Sequence, residues 1–234
     1  MMKRRQAMAT GVLAAITIFC GGCLGGAGAG SGTAHDETLD EQVDRIVSSM
    51  STSEKVGQMV MIGIHGQDVT DDSLYMLHQY HTGGVVLFDR NLASTEQVTA
   101  LTEHLQAQAD QKVPLFIGID EEGGDVVRGK GFLTPPPSQK EIGAAGEVTA
   151  AEEWASKTAV SLKKMGINVN FAPVADVGSP DRRSYSTDPD QVTKFVQAAA
   201  QGYEQNRELY ALKHFPGIGR GRVDSHQEVS EITA

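Results

Sequence analysis

The residues best suited to moving protons lie late in the chain, in the segment KHFPGIGRGRVDSH from Lys213 to His226. Asp224 and His226 stand two apart, so in an extended loop both side chains project to one side, where the carboxylate can orient the imidazole and raise its basicity. That pairing suits general acid or base work. The glycines at 217, 219 and 221 predict a loop able to swing the pair onto a substrate. Taken alone, the D-x-H spacing is common enough to favour an incidental surface pair. A phosphate-binding loop is excluded, because the P-loop spacing with its terminal Lys and Ser or Thr is absent.

Two further segments follow apolar runs directly. IDEEGGDVVR, Ile119 to Arg128, places Asp120, Glu121 and Glu122 together. They could form a solvated acidic turn or a cation site, but their position after a buried strand predicts that at least one carboxylate faces a functional site. APVADV, Ala172 to Val177, is the second. His65, His78, His81 and His104 have no metal-ligand spacing with one another and read as ordinary helix or loop histidines. No metal and no organic cofactor is expected.

These segments need elements to hold them, and the hydrophobic periodicity supplies a repeating order. Leu39, Val43, Ile46, Val47 and Met50 recur at helical spacing, and Ser51 with Glu54 starts another helix through a capping box. Strands are predicted at Met59–Ile64, Val85–Phe88, Leu115–Ile119, Val169–Val174 and Leu209–Leu212. Between them fall helical stretches: Leu74–Tyr80, one capped by Ser94 with Gln97, one capped by Thr149 with Glu152 and stopped at Gly166, and one opened by Asp188 and Pro189. Short apolar strands alternating with amphipathic helices imply parallel βα units, of which about five are visible. By pattern alone an eight-fold barrel and an open doubly wound sheet compete; in both, functional groups gather where parallel strands end. A full barrel takes about 250 residues, so this chain is expected to carry an incomplete one.

The 234 residues are 40% hydrophobic and 21% charged, the composition of a folded domain. Lys3, Arg4 and Arg5 precede an apolar stretch from Ala7 to Phe19 and then Gly21, Gly22 and Cys23, the layout of a secretory signal over residues 1–22. It is too short for a durable membrane span. Residues 24–34, LGGAGAGSGTA, read as a flexible tether, with the folded part expected from 38 to 234. Both cysteines lie in the leader and its boundary, so a disulfide framework or zinc–thiolate site in the folded part is excluded. Loss of the leader leaves 17 cations against 30 acids, taking the net charge from −10 to −13. So acidic a surface is unsuited to nucleic acid or to anionic membranes.

Cys23 and the residues before it resemble the lipobox of bacterial lipoproteins, with Cys20 where leucine is usual. This implies a secreted protein lipidated at Cys23, held at the outer face of the cytoplasmic membrane by that anchor only. KHFPGIGRGRVDSH resembles the K-H-F-P-G-x-G-x-x-x-x-D-S-H signature of glycoside hydrolase family 3 β-N-acetylhexosaminidases, the NagZ-like branch. IDEEGGDVVR resembles that family's D-Q-E-G-G-x-V-x-R, and GGVVLFDRN, Gly83 to Asn91, its G-G-x-x-L-F-x-R-N. With FAPVADV these occur in the family's order from about Val56 onward.

The resemblance implies a (β/α)8 TIM barrel and retaining hydrolysis through a covalent glycosyl-enzyme. His226 would be the general acid/base and Asp224 its orienting partner, where most glycosidases use a carboxylic acid. Asp120, Arg128, Lys213 and His214 would bind sugar hydroxyls, and Arg183 in RRSYSTDP would contact the sugar. Ile218 stands where the family often has histidine, Arg220 and Arg222 make the loop basic, and the segment before Arg183 is shorter than usual. The family's nucleophilic aspartate would fall beyond Ala234, so the chain is expected to be a fragment carrying the acid/base half. The implied function is an exo-hydrolase releasing terminal N-acetylglucosamine from β-linked glycans such as peptidoglycan fragments. A family 3 β-glucosidase or phosphorylase, and a non-catalytic glycan-binding lipoprotein, are its rivals.

Overall fold

The computed structural model describes residues 37–109, 112–179 and 181–218. From Leu39 onward these residues form one unit, built on a sheet whose strands are β1 (Met61–Gly63), β2 (Gly84–Leu87), β3 (Phe116–Ile119), β4 (Val169–Asn170) and β5 (Leu209–Tyr210). Every pairing is parallel, and the strands lie side by side in chain order. Sequential order without a switch point is the winding of a barrel wall rather than of a doubly wound sheet. Each crossover carries helix: α3 (Asp71–Tyr80), α4 (Thr95–Gln108), α5 (Gln139–Ala145) with α6 (Val148–Lys164), and α7 (Pro189–Gln205), while α1 (Leu39–Ser48) and α2 (Thr52–Gln58) precede the sheet.

Strand alternation sorts side chains to two faces. Val85, Leu87, Ile117 and Ile119 are fully buried and join Leu101 and Leu105 of α4 and Leu162 of α6 in one core. The other face carries Gly84 opposite Phe116 and Val86 opposite Gly118. A Cβ at Gly118 would come within 2.6 Å of the Phe171 ring, so glycine there lets that ring cross the sheet. A second core joins α5, α6 and α7 through Ile142, Ala155, Ala159, Phe195 and Ala199, with Tyr185 stacked on Phe195 at 5.2 Å. By contrast, no residue of α1 is buried.

Several sequence expectations need correction. The helix expected to be capped by Thr149 starts at Val148 after Glu147, which makes no side-chain cap, so Thr149 lies inside it. A separate helix, α5, was not anticipated, although Ser138 and Glu141 form a complete capping box there. The predicted strand Val169–Val174 keeps ladder pairing only at Val169 and Asn170; beyond it the chain runs irregularly through Pro173, with one further bridge between Val174 and Lys213. Helix α3 begins three residues earlier than predicted, because Thr70 and Ser73 cap each other reciprocally.

Candidate active site

All the groups singled out in the sequence that fall among the described residues meet at the C-terminal ends of the strands. Asp120 to Glu122 follow β3, Phe171 follows β4, Lys213 and His214 follow β5, and Arg183 comes from the segment leading to α7. All of these except Glu121 line, with Arg128, an open cleft of about 480 Å³.

Glu122 is the centre of the charge arrangement. Its carboxylate, 3% exposed, accepts from Arg183 Nε and Nη2, each at 2.9 Å, and lies 2.6 Å from Lys213 Nζ. The bidentate contact fixes the plane of the guanidinium, which a lysine could not reproduce. Burial by itself lowers the Arg183 pKa, but the hydrogen bonds and charge of Glu122, helped by Asp181 and Asp176, outweigh it and raise the value. Glu122 is aimed here by the turn that follows it: Gly123 and Gly124 adopt φ of +92° and +58°, and a Cβ on Gly124 would sit 2.5 Å from the Ser138 side chain. Only glycine fits both requirements.

Lys213 Nζ bridges from Glu122 to Asp120, whose Oδ1 is also 2.6 Å away. The other oxygen of Asp120 lies 3.8 Å from Arg128, and Arg128 reaches on to Asp89 at 3.2 Å, beside the ring of Phe88. Asp120 and Arg128 remain 22% and 27% exposed, so both present polar atoms to the cleft. Glu121 points the other way. Its buried carboxylate accepts from the backbone N–H of Arg128 and of Gly129, tying the loop into a closed turn. Burial raises its pKa, opposed by those two backbone bonds. Asn170, fully buried on β4, braces the same turn by accepting from Glu121 N and donating to Glu121 O and Tyr203 Oη.

His214 stands between two groups. Its Nδ1 is 2.7 Å from Asp176 Oδ2 and its Nε2 is 3.0 Å from Arg183 Nη2. Asp176 also accepts from Ile218 N at 2.9 Å.

The structure therefore brings together Asp120, Arg128, Arg183, Lys213 and His214. It splits the acidic triplet, turning Asp120 and Glu122 into the cleft and Glu121 beneath it. Asp224, His226 and Cys23 lie outside the described residues, as do Arg220 and Arg222. Glu122, Asp89, Asp176 and Asn170 were not singled out as site residues. Three of them, Glu122, Asp89 and Asp176, sit inside the motifs quoted above, after strands, and that position was the available signal. Among the described residues no cluster of three His, Cys, Asp or Glu is placed to hold a metal ion.

Residues 51–234 match the model of the glycosyl hydrolase family 3 N terminal domain. The chain is 41% identical over 171 residues to a β-hexosaminidase A from Pseudoalteromonas piscicida, covering 67% of this chain and 28% of that protein. Among solved structures, a family 3 β-N-acetylglucosaminidase from Paenibacillus sp. str. FPU-7 superposes with a TM-score of 0.73 at 38% identity, covering 76% of this chain and 35% of the other. NagZ from Neisseria gonorrhoeae, solved in complex with N-trifluoroacetyl-D-glucosamine, gives 0.68 at 30% identity, covering 73% and 53%. The chain thus spans between about a quarter and about half of these relatives.

Proposed function

The chain belongs to glycosyl hydrolase family 3, and we propose that it contributes the sugar-gripping and acid/base side of a retaining exo-glycosidase that releases terminal N-acetylglucosamine from β-linked glycans such as peptidoglycan fragments. The observation that carries this reading is the convergence of Asp120, Arg128, Lys213 and His214 on one open cleft at the strand ends. A pyranose offers vicinal hydroxyls, each both donor and acceptor. Asp120 accepts from them, while Lys213 and Arg128 donate, in charge-assisted bonds that a pyranose ring satisfies in pairs. The relative solved with an N-acylated glucosamine supports the sugar class.

In the chemistry we propose, His226, oriented by Asp224, passes its proton to the glycosidic oxygen as the bond to the anomeric carbon breaks. A carboxylate attacks that carbon from the opposite face; His226 then takes a proton from the water that hydrolyses the glycosyl-enzyme. Asp120 and Glu122 are both engaged by Lys213, which suits them to binding and not to nucleophilic attack. We assign the nucleophile to a carboxylate outside the described residues.

We further propose export and lipidation at Cys23. Cys23→Ala should release the protein from the membrane fraction; retention there would dismiss the anchor. For the activity, the full-length protein should hydrolyse 4-nitrophenyl N-acetyl-β-glucosaminide, and His226→Ala should lose at least a hundredfold in kcat, consistent with about 10² to 10⁴ for acid/base catalysis. Preference for the corresponding glucoside, release of a sugar phosphate when phosphate is supplied, or binding without turnover would each replace this reading by another.

A further inference from the structure

From the contacts of His214 we infer that Asp176, a residue with no assigned role, is a positioning residue that sets the tautomer of His214 and pins the root of the segment leading to Asp224 and His226. A guanidinium has hydrogens to donate and no lone pair to accept, so His214 Nε2, 3.0 Å from Arg183 Nη2, must present its lone pair. Nδ1 then carries the ring proton and donates it to Asp176 Oδ2 at 2.7 Å. The other oxygen, Oδ1, accepts from Ile218 N at 2.9 Å and lies 3.4 Å from His214 N.

Asp176 is thus required to accept at both ends. Its side chain is 1% exposed, so water cannot readily replace either contact. The backbone around it is shaped to the task. Gly217, with φ of +116°, lets the chain wrap the carboxylate, and a Cβ there would come within 3.3 Å of Oδ1. Ser184 Oγ donates to the Asp176 carbonyl at 2.6 Å, and Gln139 exchanges two hydrogen bonds with Val174 just upstream.

Asparagine has the same shape but one acceptor and one donor. With its NH2 toward His214, Nδ1 must accept and an Nε2–H is driven against Arg183; with its NH2 toward Ile218, two donors collide. An amide in place of an orienting carboxylate imposes the wrong tautomer in the same way at other imidazoles.

The test is carried out on the full-length protein with 15N-labelled histidine, the His214 signals being assigned by their absence in His214→Gln. Wild type should show a bare Nε2 and a protonated Nδ1. Asp176→Asn should either exchange the two or speed hydrogen exchange at the Ile218 amide at least tenfold. A wild-type Nε2–H, or an Asp176→Asn protein with both signatures unchanged, overturns the inference.

The catalytic consequence rests on the hydrolase reading: Asp176→Asn should lower kcat/KM for 4-nitrophenyl N-acetyl-β-glucosaminide at least tenfold. A wild type with no turnover would sink that reading while leaving the spectroscopic result to decide the inference. Wild-type kcat/KM in a variant whose tautomer has changed would overturn the link to the site.

Discussion

Glu122→Gln removes one negative charge from beneath two cations while leaving the side-chain volume almost untouched. In the wild type the carboxylate accepts three charge-assisted contacts, two from Arg183 and one from Lys213, at 3% exposure. Glutamine keeps one acceptor and turns an NH2 toward a donor. Breaking a buried ion pair from one side costs about 3–5 kcal/mol, because the partner is left buried and uncompensated. Lys213 still has Asp120, and Arg183 keeps a longer contact of 3.8 Å to the half-exposed Asp181, which places the expected loss near the lower end, about 3 kcal/mol. For a domain of about 200 residues each kcal/mol moves Tm by about 2–4 °C, so Tm should fall by about 6–12 °C. Scanning calorimetry reads this directly, and a double-mutant cycle with Arg183→Gln should give a coupling above about 1 kcal/mol. A Tm within about 2 °C of wild type, with additive mutations, would refute the claim that these charges stand or fall together.

Glu208 is buried, with neither carboxylate oxygen hydrogen-bonded among the described residues; burial pushes its pKa from the ordinary 4.5 up to about 8, against a weaker lowering by Lys163. A folded-state pKa above the unfolded one means that stability is full below about pH 4.5 and is withdrawn as the pH rises through about 8. At about 1.4 kcal/mol per pH unit the loss is at most about 5 kcal/mol and, once water relaxes around the charge, roughly 2. Denaturant titrations of Glu208→Gln should lack that slope, and a wild type equally stable at pH 5 and pH 9 would contradict the account. Gly143→Ala should destabilise by about 2–3 kcal/mol in urea unfolding although helix propensity alone predicts a gain of about 1, because its Cβ would meet the Tyr185 carbonyl at 1.9 Å; a gain would show that the contact yields freely. Asn170→Ala should cost about 2–4 kcal/mol by stranding Glu121 N–H and Tyr203 Oη in a dry interior, and a change below 1 in chemical denaturation would count against it.

Local sequence determined a good deal. The alternation of strands and helices, the capping box at Ser51 and Glu54, and Asp188 with Pro189 at the start of α7 were all legible, because periodicity and capping involve neighbours three or four residues apart. Asp120, Arg128, Arg183, Lys213 and His214 came forward as candidates through the resemblance of their segments to the family's motifs, and strand ends, where three of those segments fall, are where such groups gather. Helix α5, as short as α2, was readable only through its cap, and the Ser138–Glu141 capping box that announces it was passed over. What the tertiary structure alone decided is which candidate faces which. Glu122 finds Arg183 across 61 residues of sequence and Asp176 finds His214 across 38, while Glu121, next to Glu122, turns under the loop to hold backbone N–H groups. Adjacent residues on an extended segment point to opposite sides, and nothing in their identities says which side is the cleft. That choice is made by the register of β3 between its neighbours and by the glycine turn at 123 and 124, both consequences of packing.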